Sequence, residues 1–117
     1  MTVSAVAKVL SLTIPNGSAN SNALSANDDY GDAVALGLIS PATLDGGHTY
    51  KFQVSLDGTN FFDLQVGNPL ADEIVPAVSN ATVYYNLIVW PYFRIVDATG
   101  NVAGDRTFLV CKQYTSP

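Results

Sequence analysis

Alternation with a period of two is the feature that most narrows what this chain can become. In Tyr50-Lys51-Phe52-Gln53-Val54-Ser55-Leu56, the residues Tyr50, Phe52, Val54 and Leu56 fall on one side and Lys51, Gln53 and Ser55 on the other. That is the pattern of a strand with one buried and one wet face. Asp57-Gly58-Thr59-Asn60 follows, and Asp-Gly between apolar runs specifies a tight hairpin, because glycine accepts the positive φ of the turn. Residues 61–66 are the expected return strand. A second hairpin is expected from residues 92–96, through Asp97-Ala98-Thr99-Gly100-Asn101, to residues 106–111. Strands over 9–14, 33–39 (stopped by Pro41) and 82–89 bring the total to about seven or eight, the spacing of a β-sandwich.

Helix signals are weak. Leu44-Asp45-Gly46-Gly47 interrupts one candidate, and Pro69 and Pro76 frame a second around residues 70–74 that has room for a turn or two. The expected fold is all-β, an antiparallel β-sandwich of jelly-roll type with an extended N-terminal arm. The expected organisation is an arm over residues 1–8, a sandwich domain over 9–114 and a tail over 115–117. Residues 16–32, small and polar, read as a long loop with one edge strand. The arm holds small apolar side chains and few anchors, so it is expected to fray without a partner.

Charged residues make up 13% of the 117 residues, about half the usual share, against 48% hydrophobic. A surface so poor in charge is expected to be partly covered by other protein. Ten acids face five cations, Lys8, Lys51, Arg94, Arg106 and Lys112, for a net charge of -5. Scattered cations make nucleic acid an unsuitable partner, since phosphate binding needs them clustered. No stretch reads as a signal peptide or a membrane span. The single cysteine, Cys111, excludes an internal disulfide; its apolar surroundings, Thr107-Phe108-Leu109-Val110-Cys111, suit a buried inert thiol.

Catalytic signals are equally sparse. One histidine, His48, follows Gly46-Gly47 and reads as a surface residue, since triads and paired-His metal sites need more. Asn27-Asp28-Asp29-Tyr30-Gly31-Asp32 has the oxygens for Ca²⁺ but neither the spacing nor the closing Glu of an EF-hand, and reads as a solvated turn. Asp72-Glu73 has nothing beside it to build a sugar-cleaving site. No enzyme activity, metal or cofactor is expected. The aromatics Tyr84, Tyr85, Trp90, Tyr92 and Phe93 are crowded within ten positions, and neighbours on a strand face opposite ways. One set therefore fills the core, and the other either sits at a sheet edge or forms a contact surface for protein or sugar, for which Tyr84, Trp90 and Tyr92 are the candidates. Trp90-Pro91 is a candidate cis bond.

The order of several segments resembles a family of small tailed-bacteriophage virion proteins. The segments are Ser11-Leu12-Thr13-Ile14-Pro15-Asn16-Gly17-Ser18-Ala19, Ala35-Leu36-Gly37-Leu38-Ile39-Ser40-Pro41, Tyr50 through Phe61 with its Ser55-Leu56-Asp57-Gly58 turn, Tyr92-Phe93-Arg94-Ile95-Val96, and Asp105-Arg106-Thr107-Phe108-Leu109-Val110. The resemblance spans most of residues 11 to 110. It implies a head decoration (cement) protein with a β-sandwich body, made in the host cytoplasm and placed on the outer capsid surface. Its implied partners are the major capsid protein and further copies of itself, as a homotrimer, with neither nucleic acid nor membrane. Neighbour contacts are expected from the arm and the 16–32 loop, at Thr2, Val3, Val6, Lys8, Leu24 and Tyr30. The rival reading is a carbohydrate- or cell-surface-binding module displayed on the virion, with Tyr84, Trp90 and Tyr92 as its platform.

Overall fold

The computed structural model describes residues 5–28, 31–32, 34–75, 81–84 and 86–115. Among them there is no helix, and twelve strands carry the fold: β1 (Ala5–Ile14), β2 (Leu24–Ser25), β3 (Asn27–Asp28), β4 (Gly31–Asp32), β5 (Ala35–Ile39), β6 (Tyr50–Ser55), β7 (Phe62–Asp63), β8 (Gln65–Val66), β9 (Ala71–Asp72), β10 (Ala81–Val83), β11 (Tyr92–Asp97) and β12 (Arg106–Thr115). They form two four-stranded sheets, ordered β1-β12-β5-β10 and β2-β11-β6-β7, and two small ribbons, β3-β4 and β8-β9. All pairings are antiparallel.

The alternation that predicts the strands also decides what they bury. Leu12, Ile14, Leu36, Leu38, Phe108 and Val110 from the first sheet meet Tyr50, Phe52, Val54, Phe93 and Ile95 from the second in one buried cluster. The rings of Tyr50 and Phe108 cross this core with centroids 5.8 Å apart. Its two ends are closed by polar clasps from β12. At one end Arg106 Nε donates to Asp45 Oδ1 at 2.7 Å, and Tyr50 Oη lies 3.3 Å from the same oxygen. At the other, the buried Lys112 reaches from its own sheet to the second and donates to the carbonyl of Ser25 on β2.

The β6–β7 hairpin forms around its Asp-Gly signal, with Val54 opposite Phe62 and Gly58 at φ 79°, but through a longer connection over residues 56–61. Of the expected return strand only residues 62–63 pair with β6, and residues 65–66 pair with β9. Asp57 organises the turn: its Oδ1 accepts from the amides of Thr59 and Asn60, each at 2.8 Å.

Several expectations are corrected. Residues 92–97 and 106–115 are not hairpin partners. β11 pairs with β2 and β6, and β12 with β1 and β5, so the 98–105 connection crosses from one sheet to the other. The strand expected over 82–89 ends at Val83, because residues 86–89 turn the chain between the sheets and Leu87 plugs the core. Leu56 leaves the apolar side of β6 and is 72% exposed, since the strand has already ended at Ser55. Residues 71–72 are a strand and not a helical turn. The cis bond among the described residues is Asn68–Pro69, so Trp90–Pro91 is trans. β1 begins at Ala5, opposite Thr115, so residues 5–8 of the expected arm and residues 106–115 are strands of one ladder.

Candidate interaction face

Because β1, β12, β5 and β10 are in register, their outward residues line up in rows. One row crosses the sheet as Val9, Cys111, Gly37 and Val83; the next as Ser11, Leu109, Ile39 and Ala81. Thr13 beside Thr107 and Gln113 beside Ala35 flank them. None of these positions carries a charge. Val9 (64%), Val83 (58%), Ile39 (44%) and Leu109 (42%) are all exposed, an apolar set that alternation would ordinarily assign to polar residues. Gly37 lacks a side chain at the centre of its row. A shallow groove of about 310 Å³ lies there, lined by Ala35, Gly37, Val83, Cys111 and Gln113.

The outer face of the second sheet is the opposite in character. Lys51 Nζ lies 2.8 Å from Asp63 Oδ2 and 3.4 Å from Asp72 Oδ2. Gln53 donates to Asp63 at 2.9 Å and accepts from Arg94 Nε and Nη2 at 3.0 and 2.8 Å. The Arg94 guanidinium also stacks 4.1 Å over the Phe61 ring, a cation–π contact. Hydrogen bonding to Lys51 holds the Asp63 carboxyl below its usual value, and the same bond raises the Lys51 ammonium. This face satisfies its polar groups internally.

The residues singled out from sequence are distributed elsewhere. Tyr84 packs its ring edge-on to Phe52, centroids 4.8 Å apart, and Trp90 is partly buried against the same core. The Tyr92 ring lies about 3.4 Å from where a side chain on Gly58 would begin, so it roofs the hairpin turn. Lys8 stands opposite Lys112 in the β1–β12 ladder, Val6 opposite Tyr114, and Leu24 pairs with Phe93 and packs against the core. Thr2, Val3 and Tyr30 lie outside the described residues. Cys111, expected to be buried, is half-buried and lines the outer groove. His48, expected at the surface, is held by Asp97.

The uncharged face was missed because its signal lies in register. Val9, Ile39, Val83 and Leu109 each read as an ordinary strand residue, and only the pairing of four distant segments puts them side by side.

A second depression, of about 480 Å³, lies at the β6–β7 tip between Leu56, Asp57, Thr59, Asn60, Phe61 and Phe62. Asp57 is committed to the turn, and its carboxyl is held far below the usual range, chiefly by the amides of Asn60 and Thr59. Among the described residues no cluster of side chains suits a metal ion. No family model matches the chain, and no curated protein or solved structure is significantly similar to it.

Proposed function

We propose that this chain is a structural virion protein that decorates the outside of a bacteriophage head and stabilises it through buried protein surface, without catalysis. The single observation that carries this reading is the uncharged, apolar outer face of the β1-β12-β5-β10 sheet on a sandwich whose other outer face is ion-paired. A face of that kind is costly to leave in water and is suited to burial against protein.

Strand order adds support. Omitting the two ribbons, the eight sheet strands taken in chain order stand as first, eighth, third and sixth in one sheet, and second, seventh, fourth and fifth in the other. That arrangement fits a jelly roll, an architecture used by viral capsid and lectin domains. The segments that resemble decoration proteins supply the second part of β1, all of β5 and β6 with the turn that follows, most of β11 and the first half of β12.

The test is cosedimentation of the purified chain with heads of the phage whose genome encodes it. Saturable retention, with Cys111 shielded from alkylation on the particle, is expected. A chain left in the supernatant, or a gene lying outside any phage genome, overturns the reading.

The rival, a glycan-binding module, is favoured by the cleft at the hairpin tip, where the Phe62 ring is 66% exposed beside Asn60 and Thr59. It predicts that Phe62→Ala abolishes retention on a glycan array while head binding is unchanged.

A further inference from the structure

We infer that the occupant of the uncharged face is a second copy of this chain, packed sheet to sheet about a twofold axis. This rests on the reading above that the face is covered by protein on the particle, and it assigns that cover to a neighbouring copy of the chain.

Charge decides which face a copy would use. The chain carries a net charge of -5, so two copies repel overall, and least where the apposed faces carry no charge. Pairing through the other sheet would bring Asp63 and Asp72, with their polar network, into a copy's apposed face. The paired outward positions of the β1-β12-β5-β10 sheet hold no carboxylate.

Shape argues next. Gly37 leaves a hollow in one row, and Leu109 and Ile39 stand as paired neighbours in the adjacent row, about 7 Å further along the strands. A twofold axis between the rows sets the Leu109–Ile39 ridge of each copy over the Gly37 hollow of the other. An isologous interface requires this self-complementarity, in which one patch supplies both the projection and its receptacle.

Area sets the strength. The face spans roughly 19 Å across four strands and roughly 20 Å along them, so two copies cover on the order of 800 Å². That is below the roughly 1,000 Å² that a stable specific interface clears, so the pairing is weak and concentration-dependent. An array of copies on a symmetric particle would raise its effect through multivalency.

Sedimentation equilibrium of the intact chain tests the inference, together with the rate at which Cys111, the single cysteine, reacts with a maleimide. The average mass is expected to rise with concentration toward twice 12.4 kDa, with Cys111 alkylation slowing in parallel. Leu109→Glu and Ile39→Glu should each restore the monomer mass, whereas Leu70→Glu, the same change at an exposed site off the face, should not. Gly37→Val should also weaken pairing. A Cβ at Gly37 would lie 3.7 Å or more from its neighbours, so the strand accepts the side chain and only the hollow is lost.

The inference is overturned by a constant monomer mass at high concentration, by association that survives both Glu substitutions, by tighter pairing of Gly37→Val, or by closure at three copies. The two proposals fail separately. A monomer whose Cys111 becomes shielded on heads removes the pairing and keeps the decoration role. A twofold pair that heads do not retain does the reverse.

Discussion

His48 Nδ1 lies 2.5 Å from Asp97 Oδ2, and the other carboxylate oxygen of Asp97 accepts from the amides of Thr99 and Gly100 at 2.9 and 3.1 Å. One buried carboxylate thus joins the 45–49 loop to the segment that leaves β11 for the opposite sheet. Two further bonds, Thr49 N to Thr99 Oγ1 and Ala98 N to Thr49 O, run alongside it.

Removing Asp97 should therefore cost more than removing His48. Asp97→Ala strands two loop amides and the imidazole, and about 2–3 kcal/mol is expected. His48→Ala removes one bond at a half-exposed site, and about 1 kcal/mol is expected. Urea denaturation of the two variants checks the order; equal losses would show that the carboxylate does not organise the crossing.

Acid should weaken the fold through a different set of carboxyls. Asp57 is held low mainly by turn amides, Asp45 by Arg106 and Asp63 by Lys51. Each has a folded value below its unfolded one, so each contributes stability that is fully present above the unfolded value of about 3.9 and is lost as pH falls through the folded value. The melting temperature should accordingly drop as pH is lowered from about 4. Asp57→Asn should start lower at neutral pH and lose less on acidification. A wild-type melting temperature unchanged between pH 5 and pH 2 would contradict this.

The fold class was legible because alternation is local. Tyr50, Phe52 and Val54 are buried in the pattern that their spacing states, and Asp57-Gly58 makes the turn that its chemistry specifies. Sheet membership was not legible. Residues 92–97 and 106–115 look like two arms of one hairpin, yet each has both edges taken by more distant strands, a preference set by how the core fills. The candidate face failed to appear for the same reason: Cys111 and Gly37 are 74 positions apart in sequence and are neighbours only through the β12–β5 register. The aromatic cluster misled because Tyr84 and Trp90 are large enough to pack on the core from beyond the last strand of the first sheet.

Adjacent residues on β12 should separate folding from association. Phe108 is fully buried against Tyr50, whereas Leu109 points outward. Phe108→Ala should cost about 3–5 kcal/mol, the range for truncating a core Phe. Leu109→Glu should change stability by no more than about 0.5 kcal/mol, as a surface substitution does, while abolishing pairing. Thermal melts and sedimentation on the same two samples give both readouts. Loss of folding in Leu109→Glu would show that the outer face belongs to the folded monomer.

Salt should strengthen the pairing. An interface without charges has no attractive ion pairs to screen, while two copies of net charge -5 repel through the solvent around it. Raising ionic strength from about 0.02 M to about 0.5 M shortens the screening length from some 20 Å to below 5 Å. The dissociation constant should then fall by roughly two- to fivefold. Sulfate should lower it further than chloride at equal ionic strength, because it favours burial of apolar surface. A dissociation constant that rises with added salt would show attractive ion pairs across the interface and contradict an uncharged one. The sign of the salt dependence, read by sedimentation at three ionic strengths, therefore tests whether the apposed faces are free of ion pairs.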